Sequence, residues 1–331
     1  MSEKKIVFFI ENISHLRFLK NIINVYLSTN NSLEIVSLEK IKLNKKIKST
    51  VLVNNVEKLN YLKNLNADLF FTTTPGIGSS IFPKSLIFPR YKRPKYIYIF
   101  HSLVSPNEMY VNNSFKNFDY IISPSLAITK QLSYLVSEKV TILDFGYPLF
   151  DNIEPFSHKK NIENSILIAP SWGEFGLSSK IDILDQEIWP ENFEIKFRPH
   201  PMNISNFKDL NLNYIKLDLN LDLKLNELAT YRYLITDCSG IALEYYFLTG
   251  RPSIFINTPK KIKRKISKKE LKINLIEDVM KNKIGKEINI DEIKDFLQNI
   301  ESEIFNVDEK FITELCIYKN VCKNIKFFNF K

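Results

Sequence analysis

Along this chain, short apolar runs of strand length alternate with stretches of helical spacing, and the alternation stops once and then starts again. "KKIVFFI" is a strand-like run, and "SHLRFLKNIINVYL" after it carries apolar residues three and four apart. Further strands are predicted at "LEIVSL", "STVLVNN", "ADLFFTTT", "KYIYIFH", "FDYIISP" and "VTILDFG", with a helix at "SLAITKQLSYLVS". Strands that take turns with helices build α/β layers around parallel sheets. The interruption is "GYPLFDNIEPFSHKKNIENS", residues 146–165, where Gly146, Pro148 and Pro155 sit among polar side chains. A second series follows, with strands at "SILIAPSW", "FEIKFRP", "NYIKLD", "RYLITDCSG" and "RPSIFIN" and a helix at "GIALEYYFLTG". The stretch "DEKFITELCIYKNVCKNIKFF" has the spacing of an amphipathic helix.

The expectation is two Rossmann-like domains facing a central cleft, residues 1–150 and 151–307. Residues 308–331 form a C-terminal helix that crosses back to the first domain. A chain of 331 residues is long enough for both. In open parallel sheets ligands sit outside the carboxyl ends of the strands, so the chemistry is sought there.

Composition narrows the class. Hydrophobic residues make up 44% and charged residues 25%, a soluble balance, and no apolar run reaches the roughly 18 residues of a membrane span. The N-terminal run is too short for a secretory signal and is followed by an acidic residue. Cys238, Cys316 and Cys322 lack metal-ligand spacing, which fits a reducing, cytoplasmic setting. The net charge of +9 is concentrated in "TPKKIKRKISKKELK", residues 258–272. That run is either a solvated basic loop or a peripheral contact with anionic lipid at the inner face of the membrane. Nucleic acid is not expected, because no basic helix with interleaved aromatics appears.

Three polar groupings fall at predicted strand ends. Arg198 and His200 each precede a proline in "FRPHP". A proline pushes the residue before it into extended backbone, and residues two apart then share a side. Two cationic or hydrogen-bonding groups side by side suit a diphosphate. In "LITDCSGIALEYY", a strand runs into Asp237, Ser239 and Gly240 and a helix follows. Free N–H groups at a helix start, with a hydroxyl and a glycine that lets a ligand approach, make an anion site; an ordinary N-cap by Asp237 or Ser239 is the plainer alternative. Glu244, about two helical turns on, would grip a ribose hydroxyl or form a surface ion pair. His101 ends "YIYIF" and precedes a loop with Ser102, and a neutral imidazole can accept a proton from an attacking hydroxyl. Gly76 and Gly78 in "TTTPGIGSS" are a weaker sign of a ligand loop. His15 on the first helix and His158 in the linker are given no role, and no His/Cys/Asp cluster has metal spacing.

Taken together, "GYPLFD", "SILIAPSW", "RPHP" and "TDCSGIALEYYFLTGRPSIFI", in that order, resemble the CDP-glycerol glycerophosphotransferase family of teichoic-acid and capsule polymerases, which has the GT-B fold. The resemblance covers about residues 67–257. It departs from the family where the usual Trp-His-Gly becomes Phe100, His101 and Ser102. It implies that His101 is the base on the acceptor hydroxyl and that Arg198 and His200 hold the donor diphosphate, His200 also acting during transfer. It further implies that Asp237, Ser239 and Gly240 bind donor phosphates. Ser102, beside the base, would shape the acceptor side with the Gly76–Gly78 loop. The implied reaction moves a polyol phosphate from a CDP-linked polyol donor to a hydroxyl of a glycan, lipid-linked or polyol-phosphate polymer acceptor, releasing CMP. No tightly bound cofactor is called for, and a divalent cation with the nucleotide is compatible. The rival readings are a GT-B glycosyltransferase or sugar-nucleotide epimerase using an NDP-sugar, and a non-catalytic binding protein for anionic polymers.

Overall fold

The structure is a computed structural model that describes residues 3–41, 47–76, 93–111, 113–158, 162–173, 176–221, 223–259, 274–315 and 320–330. The first sheet contains β1 (Lys5–Ile10), β2 (Ser32–Ser37), β3 (Lys48–Val51), β4 (Leu69–Thr72), β5 (Lys95–Ile99), β6 (Tyr120–Ser123) and β7 (Thr141–Asp144). Their order is β3-β2-β1-β4-β5-β6-β7, and every pairing is parallel. The second sheet contains β8 (Glu163–Ile168), β9 (Glu194–Phe197), β10 (Lys216–Leu217), β11 (Tyr231–Thr236), β12 (Ser253–Ile256), β13 (Ile284–Ile288) and β14 (Asn306–Val307). It repeats the same winding as β10-β9-β8-β11-β12-β13-β14, with β14 antiparallel at its edge. These two parallel-sheet α/β units are the Rossmann-like pair expected from the alternation.

The reason is visible in the central strands. In β1 every residue from Ile6 to Ile10 is buried, because a parallel strand covered by helices on both faces has no wet side. Helix Leu16–Leu27, by contrast, buries Phe18, Leu19, Ile22, Ile23 and Tyr26, the stripe that helical spacing demands. Helix Ile241–Thr249 is buried nearly all round, and it ends at Gly250, whose φ of +69° suits a residue without a Cβ.

Among the described residues the buried apolar side chains fall into three clusters. One runs continuously from the first domain through Tyr147, Leu149 and Phe150 into the second, where Phe150 stacks on Phe247 with ring centroids 3.7 Å apart. Another lies on the opposite face of the first sheet and includes Val321, Ile325 and Phe330 from the chain's end. The backbone N–H groups of Val321 and Cys322 donate to the two carboxylate oxygens of Asp151, at 2.8 and 2.7 Å. The end of the chain therefore packs on the first domain. The single C-terminal helix expected from spacing is instead two, Lys310–Glu314 and Val321–Phe327, with 316–319 outside the described residues. The basic run 258–272 lies almost wholly outside them too.

β13, "IGKEI", has no counterpart among the strands expected from sequence. Its Gly285 faces β12 so closely that a Cβ would overlap the Ser253 carbonyl oxygen and come within 2.7 Å of the Phe255 ring. Gly285→Ala is therefore expected to force the two strands apart and cost about 2 kcal/mol, in the range for overpacking. Urea unfolding measures this, and an unchanged midpoint would mean that β12 and β13 tolerate the methyl.

Candidate active site

The strand order of each sheet reverses between its first and fourth strands, which opens a crevice at their carboxyl ends. On the first domain, β1 leads into a short turn, Ile13–His15, fixed by the Asn12 side chain accepting from the Ser14 N–H at 2.9 Å. His15 thereby sits over the crevice, and Thr73, just past β4, bonds its Nδ1 through Oγ1 at 2.9 Å. His101, two residues past β5, lies beside it with ring centroids 4.5 Å apart and ring planes tilted by 42°. Phe18 packs on His101 at 5.5 Å, and the Tyr98 hydroxyl stands 3.5 Å from its Nδ1. His15 belongs to this site, contrary to the sequence reading that gave it no role. The signal was its place just after the first strand, at the switch point.

Electrostatics keep both rings neutral near pH 7. Burial, set against Glu11 and helped by Arg17, holds His15 down to about 4. Burial first, then His15, His200 and Arg17, holds His101 well below the usual imidazole range, partly opposed by a hydrogen bond to the Ile99 backbone. His200 of the second domain is thus near enough to His101 for its charge to bear on it.

On the second domain the predicted residues divide. His200 is half-buried, and its Nδ1 accepts from the Met202 N–H at 3.2 Å. Arg198 does not join it. Its guanidinium pairs with Asp218, just past β10, and with Glu227 at 2.7 Å, leaving Nη1 buried without a hydrogen-bond partner. The expectation that Arg198 and His200 grip one diphosphate side by side is corrected, since acidic neighbours draw Arg198 into the second domain. Asp237 is corrected as well. It is fully buried, and its oxygens accept from the N–H groups of Ser171 (2.8 Å) and Leu177 (3.1 Å), tying down the loop after β8 rather than presenting to a phosphate.

Ser239 and Gly240 do stand at the start of helix Ile241–Thr249, with Gly240 at the N-cap. The Ser239 hydroxyl approaches the Ile241 N–H at 3.5 Å. What approaches Gly240 here is the first domain: a Cβ on it would lie 3.2 Å from the Leu103 nitrogen.

Glu244 is not a surface ion pair: it is buried between the domains. Both its oxygens accept from Arg17 Nη2 at 2.7 Å, and Oε1 also accepts from the Tyr147 hydroxyl at 2.6 Å. Burial and the Glu244 carboxylate raise the Tyr147 hydroxyl well above its ordinary value, so it stays protonated and donates. A second polar tie joins the domains nearby. The Ser105 N–H donates to Glu277 at 2.7 Å, and the Ser105 hydroxyl accepts from the Ile276 N–H at 2.8 Å.

Ser102 is half-buried beside His101. Gly76, with φ of +83°, donates its N–H to the Ser114 carbonyl at 2.7 Å, and Gly78 lies outside the described residues. Among the described residues no group of His, Cys, Asp or Glu is arranged to hold a metal ion, and no helix is long and apolar enough to cross a membrane.

No family model and no curated protein matches the chain. Solved structures do match it, over almost its whole length. The wall teichoic acid polymerase TagF, in a variant form, is 16% identical, with 98% of this chain and 88% of that one covered and a TM-score of 0.63. This chain has the GT-B fold. A putative UDP-N-acetylglucosamine 2-epimerase from Listeria monocytogenes, 14% identical over 98% of this chain and 95% of its own, superposes with a TM-score of 0.57. The GT-B-like architecture implied by the motifs is thus the architecture observed.

Proposed function

We propose that the protein transfers a polyol phosphate from a CDP-activated donor to a hydroxyl of a cell-surface glycan or polymer. The observation that carries this reading is that His101 and His200 follow strand ends of different domains, near enough for the charge of one to bear on the other. The acceptor oxygen attacks the β-phosphorus of the donor, and the bond from that phosphorus to the bridging oxygen breaks, so CMP leaves. The acceptor's proton passes to His101. Its neutral ring is able to take that proton, and the negative diphosphate arriving opposite counters the burial that weakens it as a base. His200, the Ser239 hydroxyl and the start of helix Ile241–Thr249 would stabilise the phosphates, a contribution that is often the largest catalytic term.

A second reading, transfer or epimerisation of an NDP-sugar, is supported by the structural likeness to the epimerase. A thermal-shift panel of CDP-, UDP-, GDP- and CMP-linked ligands separates the two. Stabilisation by CDP-polyols, followed by CMP release and a new phosphodiester, is the expected result. Stabilisation by UDP-sugars alone, with a new glycoside or an epimerised sugar, would replace the first reading by the second.

A further inference from the structure

The first domain holds a titratable pair that the proposed reaction does not by itself require. His15 and His101 come from different strand ends, yet their rings lie 4.5 Å apart, at the contact distance of packed rings. His15 is not free to turn away, because Thr73 Oγ1 holds its Nδ1 at 2.9 Å and its backbone N–H donates to Asn12 at 2.9 Å. His101 is confined in turn by Phe18 on its flank and by Tyr98, whose hydroxyl meets that of Tyr110 at 3.0 Å.

Two imidazolium ions at this separation repel strongly in a partly buried site. We propose that His15 is a positioning residue for His101: clamped by Thr73, it packs against the His101 ring, fixes its orientation toward the acceptor hydroxyl, and disfavours a second proton once either ring is charged. The catalytic meaning rests on the reading of His101 as the acceptor-side base. The coupling between the rings does not, and it is testable in the protein without any substrate.

The charged and titratable groups facing the pair are Glu11 and Arg17 near His15; His200, Arg17 and Tyr98 face His101. Glu11 favours a proton on His15, whereas Arg17 and each histidine disfavour one on its neighbour. Removing the ring that is protonated first should therefore raise the titration midpoint of the other. The coupling energy is reciprocal, and the ring that takes its proton second, beside a charged neighbour, carries the shift.

The experiment follows the ring carbon and nitrogen resonances of all four histidines between pH 8 and pH 4, in the full chain, for wild type, His15→Gln and His101→Gln. The expected result is a rise of about one pH unit in the midpoint of the ring that is protonated second when its neighbour is removed. Thr73→Val should alter the nitrogen signature of the His15 ring while thermal unfolding stays that of a folded protein. Thr73→Ser should restore the signature.

Midpoints that do not move for either histidine would overturn the coupling. Should His15→Gln not fold, the Thr73 variants and His101→Gln still decide the case. If the wild-type protein turns over no CDP-polyol, the reading of the reaction falls while the titrations still judge the pair.

Discussion

His101→Ala should bind a CDP-linked donor within about threefold of wild type, yet transfer at least roughly 10²-fold more slowly. The separation follows from where the ring stands. His101 ends a strand of the first domain, and its neighbours are His15, Phe18 and Tyr98, all of that domain. The donor-side groups, His200 and Ser239, belong to the second. Loss of the ring removes a proton acceptor but no donor contact, so the effect should fall on turnover. His200→Ala should damage binding and turnover together, since its ring would touch the donor before and during transfer.

Donor titrations by calorimetry and CMP release at saturating donor measure the two quantities. A near-wild-type rate for His101→Ala would place the base elsewhere. Loss of donor binding as severe as in His200→Ala would put both histidines on one diphosphate and remove the division of roles. His101→Gln fills more of the space between His15 and Phe18, and it guards against mistaking a collapsed pocket for a missing base.

How far the sequence disclosed this arrangement depends on the distance over which each residue finds its partners. The central strands were legible because burial on both faces makes them continuously apolar, as in "IVFFI". β13 was not, since Lys286 and Glu287 interrupt it and its outer neighbour is the two-residue β14. His101 and His200 were legible as polar residues ending apolar runs. Arg198 looked equally exposed to ligand, but its acidic partners lie 20 and 29 residues away, beyond any local pattern. Asp237 resembled a phosphate ligand for the same reason, its N–H donors being 66 and 60 residues back. His15 was hidden by the opposite problem. Its one local signal is its place just after the first strand, and the pairing of β1 with β4 and of β4 with β5 brings it to Thr73 and His101.

Glu244→Ala should destabilise the protein by about 3 kcal/mol, the low end of the range for breaking a buried ion pair on one side only. The carboxylate is 5% exposed and its partner Arg17 20%, and both oxygens are engaged. Removing it leaves the Arg17 charge half-buried without its carboxylate, beside the Leu223 carbonyl at 3.3 Å and the Phe18 ring at 4.7 Å. The Tyr147 hydroxyl loses its 2.6 Å acceptor in the same stroke and is left with the weaker His101 carbonyl at 3.4 Å. Because the deficit comes from an uncompensated charge, the double variant Arg17→Met/Glu244→Leu should recover most of it, as apolar replacements of buried pairs commonly do. Urea unfolding of the single and double variants tests this; equal losses in both would mean the pair is held by shape and not by charge.

The consequence for function is geometric. Arg17 sits two residues after His15, and Glu244 four residues after Gly240, so the ion pair joins the acceptor side to the start of the proposed phosphate-binding helix. Its loss should therefore let the domains part, which small-angle scattering reads as a larger radius of gyration. Turnover should fall in both the single and the double variant if the pair also fixes the spacing between His101 and His200. Full activity in the stable double variant would show that the Ser105–Glu277 tie and the Phe150–Phe247 stack suffice to hold that spacing.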